Sequence, residues 1–449
     1  MSGKLIAGIM FNYMRPVVLM VCGVALLMGV CANSEESPDL REQVRQLQRQ
    51  NDSLQQQLQR QQQIINSLDK RLTEFQASTL GHATEAAAPV LPAPSARPGL
   101  SFGGIQLSGE AGAAFFQSGR EGQYPHGEFR IDEAKLFVDA QIFDNVFFFT
   151  ELNLTQRESP DEFLSLGEIY FEIEDVSRFW GQPHQLNVRA GRMDIPFGEE
   201  YMGRDAVDNP LIMHSLSDVW GVDEGVELYG GLGRFQYALA VQNGGPSTLI
   251  DANGDKSVSG RLGVDPTQWL HLSASGMRTG NLQVKGDRTS AVWFGNGFFR
   301  AIGAPATTTL FQADLAEADI QLRLPHSQVK TAGGYAHFTD NDTTAINRRD
   351  LYYYYIEGLY DITPKLYAAT RLSQIFSPGG YPLVGSGNFN DYFFTSLTKN
   401  LWRLSLGGGY RWQRNLTLKL EYTLEQGAEV GGDSRRHEDV IATEVTGKF

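Results

Sequence analysis

Between Ile195 and Glu224 seven carboxylates, Glu199, Glu200, Asp205, Asp208, Asp218, Asp223 and Glu224, stand against one guanidinium, Arg204. A run of this kind concentrates cations or, between low-dielectric walls, focuses a negative field. Six arginines, Arg189, Arg261, Arg323, Arg371, Arg403 and Arg411, sit on flanking and later stretches that alternate polar and apolar residues. The chemistry open to these two sets is electrostatic, a field across a gap rather than a bond-making step.

Other groupings fail on spacing. The eight histidines, at 82, 126, 184, 214, 271, 326, 337 and 437, never come within four residues of one another, so no zinc motif exists. Asp251, Asn253 and Asp255 begin like a calcium loop, but Lys256 stands where Gly is required and Leu262 where the bidentate Glu belongs. Gly230-Gly231-Leu232-Gly233 opens no helical pattern and is not a dinucleotide site. His271 with Ser273 and Ser275 is the one group that could serve a hydrolase, and it lacks the remaining parts of such a site. No cofactor and no enzymatic activity are expected. Nucleic acid is excluded as a partner by a formal charge of −14 with no contiguous basic stretch.

These residues must be positioned by the rest of the chain. Residues 1–32 carry Lys4 and Arg15 ahead of an apolar run from Pro16 to Val30, the pattern of a secretory signal peptide. Its removal lowers the charge to −16 and takes away Cys22 and Cys31, the only cysteines. An exported chain without disulfides must rely on its hydrogen-bond ladder. Mean hydropathy is −0.28, and beyond the first segment no apolar run is long enough for a membrane helix. A transmembrane β-barrel is compatible with that value, because its strands alternate apolar and polar residues.

Residues 33–80 are predicted to form a coiled coil. Leu40, Val44, Leu47, Asn51, Leu54, Leu58, Gln61, Ile65, Leu68, Leu72 and Phe75 follow alternating steps of four and three. Asn51 and Gln61 are polar seam positions that set register or oligomer number, and the helix would be roughly 54 Å long. Residues 81–100, rich in Ala and Pro, read as a semi-rigid linker.

From residue 101 to 449 the chain becomes a series of period-two segments. Lys135 to Gln141 places Leu136, Val138 and Ala140 on one face and Lys135, Asp139 and Gln141 on the other; Phe149–Leu154, Glu168–Glu174 and Thr417–Tyr422 do the same. Short turns such as Phe143-Asp144-Asn145 and Gln413-Arg414-Asn415 alternate with long connections, for example 280–310 and 377–400. Sixteen such segments are counted, an even number that leaves both ends on one side, with the last ending at Phe449. Trp269, Trp402, Trp412 and the Tyr352–Tyr355 run fall at segment ends, where aromatic girdles belong. The expected fold is all-β, a 16-stranded antiparallel transmembrane β-barrel preceded by an N-terminal α-helical coiled coil. A secreted β-sandwich would keep its turns short at both ends, which the alternating loop lengths oppose.

Phe129-Arg130-Ile131-Asp132-Glu133-Ala134-Lys135-Leu136, Arg189-Ala190-Gly191-Arg192, Ile195-Pro196-Phe197-Gly198-Glu199-Glu200-Tyr201 and Gly225-Val226-Glu227-Leu228 together resemble the phosphate-selective porin O and P family. The resemblance spans about 101–449 and is sharpest in the first half. It implies trimers of sixteen-stranded barrels passing small hydrophilic solutes across an outer membrane, some with a periplasmic coiled coil. The family's phosphate preference rests on basic pore rows, from which the acidic insertion here departs. The insertion is expected to narrow the pore, with Glu199, Glu200, Asp205, Asp208 and Asp218 at the constriction and Arg189, Arg261, Arg323, Arg371, Arg403 and Arg411 on the wall. Two other roles stay open for these acids: solvating an exposed loop, or holding divalent cations that bridge lipopolysaccharide. Passive diffusion of small solutes and ions is the expected function. Selective passage of phosphate or small organic acids is one alternative, and a tether between outer-membrane lipid and peptidoglycan is another.

Overall fold

The computed structural model describes residues 99–102, 104–156, 164–183, 185–217, 219, 221–244, 254–283, 308–344 and 347–449. The signal segment, the coiled coil with Asn51 and Gln61, nearly all of the linker, and Asp218 lie outside the described residues.

The strands are β1 (Leu100–Phe102), β2 (Ile105–Ser118), β3 (Glu128–Phe143), β4 (Val146–Gln156), β5 (Ser165–Ile173), β6 (Asn187–Asp194) and β7 (Val222–Leu232). They continue with β8 (Phe235–Gln242), β9 (Ser257–Thr267), β10 (Leu270–Arg278), β11 (Leu282–Gln283), β12 (Leu310–Leu324) and β13 (Ser327–Asp340). The series ends with β14 (Arg349–Asp361), β15 (Leu366–Tyr381), β16 (Thr398–Gln413), β17 (Leu416–Glu429), β18 (Ser434–Arg435) and β19 (Val440–Lys448). Three of these, β1, β11 and β18, are pieces of two or three residues. The other sixteen pair antiparallel with their sequence neighbours, and β19 pairs with β2 from Val440↔Ser118 to Lys448↔Glu110, so the sheet is a closed sixteen-strand barrel. Closure leaves no sheet edge.

Turn chemistry sets the two ends apart. Asp144-Asn145, Gly233-Arg234, Gln268-Trp269, Pro325-His326 and Arg414-Asn415 each join two strands at one end. Phe449 reaches this same end, its N–H donating to the Gly109 carbonyl at 2.9 Å. The opposite end carries the long connections, residues 195–221 among them.

Alternation decides which residues face out. Leu262, Ile356, Leu406, Leu420 and Ile441 are exposed apolar residues on the outer face, while their neighbours Glu357, Ser405, Lys419, Glu421 and Ala442 are buried inside. The Tyr352–Tyr355 run is divided by the same rule. Tyr352 faces out, but Tyr353 and Tyr355 are buried inside the barrel, where the Tyr353 hydroxyl donates to Glu317 Oε2 at 2.7 Å. The girdle reading therefore fails for these two, because consecutive residues of a strand cannot share a face. A bulge displaces the phase on β3: Glu133 pairs Gly112 and Ile131 pairs Ala113, so Asp132 is the extra residue and both Asp132 and Glu133 are buried.

On β14 the outward face runs from Tyr352 through Ile356 to Tyr360, the two tyrosines marking the margins of an apolar belt. Ile356→Arg is expected to cost roughly 2–4 kcal/mol of stability in a bilayer. Denaturant titration of protein refolded into lipid vesicles measures it, and an unchanged midpoint would mean that this face does not meet lipid.

Candidate functional site

Residues 195–217 do not leave the barrel. The Ile195 N–H donates to the Gly221 carbonyl at 2.8 Å, closing the base of the loop at the end of β6, and the chain then turns into the lumen. Ile195, Phe197 and Leu216 pack there with Phe311, Tyr353, Ile375 and Leu401 of the wall. Gly198 makes the entry possible. Its φ is +69°, and a Cβ there would stand 2.4 Å from Glu317 Oε1. The positive φ disfavours any side chain, and one here would have to displace the Glu317 carboxylate.

The first anchor is on β9 and β10. The Gly198 N–H donates to Ser275 Oγ at 3.0 Å and Arg261 Nη1 donates to the Gly198 carbonyl at 3.0 Å. Glu199 Oε1 lies 2.9 Å from His271 Nε2 and 3.9 Å from Arg261 Nε, while His271 Nδ1 faces Asp265 Oδ1 at 2.9 Å. The second anchor is on β3. Lys135 Nζ donates to Asp205 Oδ1 at 2.5 Å, and the Ala206 N–H donates to Glu133 Oε2 at 2.7 Å. In the ring of sixteen long strands β3 and β10 are seven places apart, so they lie on opposing sides of the wall. The segment from Glu199 to Asp205, with a single 3-10 turn at Glu200–Gly203, bridges the lumen between them.

Past the bridge the loop is bound along β15–β17. Lys419 Nζ donates to the carbonyls of Ala206 and Leu211, the latter at 3.2 Å. Glu421 Oε2 accepts from the Ile212 and Met213 N–H groups at 2.5 and 2.9 Å. Arg371 Nη1 donates to the Met213 carbonyl at 2.6 Å, Arg403 Nη1 to the His214 carbonyl at 2.8 Å, and the Leu216 N–H to Ser373 Oγ at 3.2 Å. Glu200 ties the two arms of the loop, accepting from the Ser215 N–H at 3.0 Å and from Ser215 Oγ at 2.5 Å. Nearly every buried backbone group of such a loop needs a partner. Here the wall's charged side chains supply many of them, and charge-assisted bonds are the stronger kind.

The wall arginines are thus placed inward but seldom stand open to a gap. Arg371 is paired with Glu357 and Arg403 with Glu425 at 2.7 Å, all four buried. Arg189 meets Glu172 at 3.2 Å and lies over the rings of Tyr170 and Tyr229. Arg411 reaches Asp361 at 2.8 Å and Arg323 comes within 3.8 Å of Asp265, both near the short-turn end. Of the expected constriction acids, Glu199, Glu200 and Asp205 lie on or beside the bridge, and Asp208 is half exposed with Lys448 Nζ at 3.6 Å. Asp218 is not described. On the β4–β8 side of the bridge some exposure remains: Met202 is 49% exposed, Arg189 24% and Glu151 13% along their side chains.

Sequence spacing grouped Ser275 with His271 and Ser273 only as a hydrolase set that lacked its remaining parts, and it did not single out Ser373, Lys419 or Glu421, anchors on strands, nor the acids Glu357 and Glu425. A signal existed for the latter. Glu357↔Arg371 and Arg403↔Glu425 are directly opposed in register, which the short turns fix.

The site is therefore a barrel lumen crossed by its third long connection. No family model matches the chain, and no curated protein matches it. Among solved structures the chain is similar to the outer membrane channel DcaP of Acinetobacter baumannii, at 13% identity over 78% of this chain and 99% of that one, with a TM-score of 0.52. It is also similar to the trimer form of OmpT, an outer membrane protein of Vibrio cholerae, at 12% identity over 77% and 99%, TM-score 0.50. An anion-selective porin from Comamonas acidovorans matches at 8% identity over 77% and 99%, TM-score 0.50. At these identities the likeness establishes the barrel fold.

Burial opposes ionisation of Glu199, yet the His271 hydrogen bond and the Arg261 charge outweigh it and hold its carboxyl below the usual range. Burial likewise opposes ionisation of Asp205, and the charge and hydrogen bond of Lys135 again prevail, holding it low. A carboxyl depressed in the folded state stabilises above its unfolded pKa of about 4 and loses that contribution as pH falls through the lower folded value. Acidification from about pH 5 to about pH 2 should therefore release both ends of the bridge. Amide exchange of residues 199–206 is expected to speed up over that window, and protection that stays constant would contradict the anchoring role of the two carboxylates.

Proposed function

We propose that the protein is an outer-membrane porin, in which small hydrophilic solutes and ions diffuse passively through a water-filled barrel narrowed by loop 195–224. The observation that carries this reading is the bridge from Glu199 to Asp205, fixed to opposing walls by His271, Ser275 and Arg261 on one side and by Lys135 and Glu133 on the other. It closes the β15–β17 side with packed loop and leaves partly exposed polar groups toward β4–β8, which is where passage would run. Glu199, Glu200, Asp205, Asp208 and Asp218 are the constriction residues of this reading, with Arg189, Arg261, Arg323, Arg371, Arg403 and Arg411 on the wall. The acidic excess of the loop itself, seven carboxylates against Arg204 between Ile195 and Glu224, weighs against the phosphate preference of the family the sequence resembles.

The apolar outer belt supports a place in outer-membrane lipid, with lipopolysaccharide around the long loops. The trimeric form of the Vibrio cholerae protein supports a homotrimer here. Residues 1–32 would direct export, and residues 33–80 would form the coiled coil on the periplasmic side, joined by the 81–100 linker. The density of bonds along residues 209–216 favours one other reading, a sealed barrel that only anchors a tether to peptidoglycan.

Planar-bilayer recording separates the two. The full chain should give open-channel current, and replacing residues 199–213 with a short Gly/Ser linker should raise the conductance severalfold. No current from the full chain, with current appearing only after the replacement, would favour the sealed anchor.

A further inference from the structure

The bridge ends at Asp205 among more acids than its anchoring requires. Glu110 of β2, Lys135 of β3 and Asn153 of β4 are directly opposed in register, and Glu133 and Glu151 stand beside them on the inward face of β3 and β4. Carboxylate oxygens of Glu110, Glu133 and Asp205 lie within 4.8 Å of one another. Lys135 Nζ is 2.5 Å from Asp205 Oδ1, 2.8 Å from Glu133 Oε1 and 3.9 Å from Glu151 Oε1. Lys135 thus brings one positive charge to four carboxylates. Withdrawing the remaining negative charge from water is costly unless a further cation joins it.

Grouped acids alone do not make an ion site; Asn153 is the independent sign of one. It is only 4% exposed, yet its Oδ1 meets no hydrogen-bond donor among the described residues. The amide nitrogen lies toward β5, because a Cβ on Gly167 would stand 2.7 Å from Nδ2. The oxygen is therefore turned the other way, toward Lys135 and its carboxylates on β3. Nearly every buried polar atom has a partner, and an amide oxygen without a donor beside surplus carboxylate has the character of a cation ligand. The donors are all oxygen, four carboxylates and one neutral amide, with no His or Cys among them. Such a set selects a hard cation, and calcium, which takes about six to eight oxygens in flexible geometry, accepts it together with water.

We infer that Glu110, Glu133, Glu151, Asn153 and Asp205 form a calcium site at the β2–β4 foot of the bridge. The ion ties the Asp205 end of the loop to three strands at once and neutralises the charge that Lys135 leaves over. This site lies on the inner wall, so it differs from a cation shared with lipopolysaccharide outside the barrel. No motif marks it in the sequence, because its ligands come from three strands and a loop. Binding here requires no passage across the bridge, and the site stands apart from the channel reading.

Calorimetric titration of the chelator-treated full chain in detergent with calcium chloride tests it. Saturable binding at one site per chain is expected. Asn153→Ala should weaken it roughly tenfold or more, a loss typical even of groups that only orient a ligand. Since Oδ1 has no protein partner, its removal should leave the fold intact, with circular dichroism as the check. Asn153→Asp, which keeps an oxygen at this place, should retain binding. Asp433→Asn, an exposed acid on the β17–β18 connection, should leave the affinity unchanged. Calcium should also slow amide exchange at residues 203–207 in the unaltered chain and not in Asn153→Ala. No saturable binding, unaltered affinity in Asn153→Ala, a loss in Asn153→Asp or Asp433→Asn equal to that of Asn153→Ala, or exchange indifferent to calcium would each overturn the proposal. Calorimetry is blind to current, so a conducting barrel without this binding would sink the site alone, and a sealed barrel that binds calcium would sink only the channel reading.

Discussion

Closure of the hydrogen-bond ladder is the constraint on which everything else rests. A barrel wall in lipid has no water to satisfy a free edge, so the pairing of β19 with β2 must complete the ring before any lumen exists. Once closed, alternation sorts side chains without further instruction. Leu420 and Ile441 turn outward, while Lys419, Glu421 and Glu444 turn inward. The inner wall then carries more charge than a dry interior tolerates. Two devices compensate it, opposed ion pairs such as Glu357–Arg371 and Arg403–Glu425, and the backbone of the incoming loop.

That second device explains the composition of the loop. Its own carboxylates Glu199 and Asp205 pin the ends of the bridge, and its backbone takes up the wall's lysine, arginine and glutamate groups in between. The loop and the wall are one network, in which removing either side would leave buried polar groups of the other unsatisfied. The acidic stretch and the arginines read from the sequence as opposing electrodes are therefore to a large extent each other's structural partners, and the field left over belongs to the few groups that keep exposure toward β4–β8.

The fold was legible because its signals are local. Period-two alternation, turn residues such as Asp144-Asn145, and the contrast between short and long connections each need only a few neighbouring residues, and together they give the count of sixteen long strands. The site was legible in outline: Ile195-Pro196-Phe197-Gly198 and the acids after it marked the loop that enters. Its anchors were not, because a lone inward Ser373 or Lys419 looks like any lumen residue until the loop is folded against it. Tyr353 and Tyr355 show the same limit, since an aromatic run seen as a girdle is split by the pleat. The bulge at Asp132 adds a third case, where one extra residue turns both Asp132 and Glu133 to the inside.

Whether the bridge lies across the path of passage is tested most directly at Met202, its most exposed side chain. With Cys22 and Cys31 confined to the segment expected to be removed, Met202→Cys would provide a single reactive thiol. In a planar bilayer, adding a charged, membrane-impermeant thiol reagent should reduce the open-channel current in discrete steps, one per chain, and a reductant should restore it. Current that is indifferent to the reagent, with labelling of the thiol verified by mass, would contradict the account.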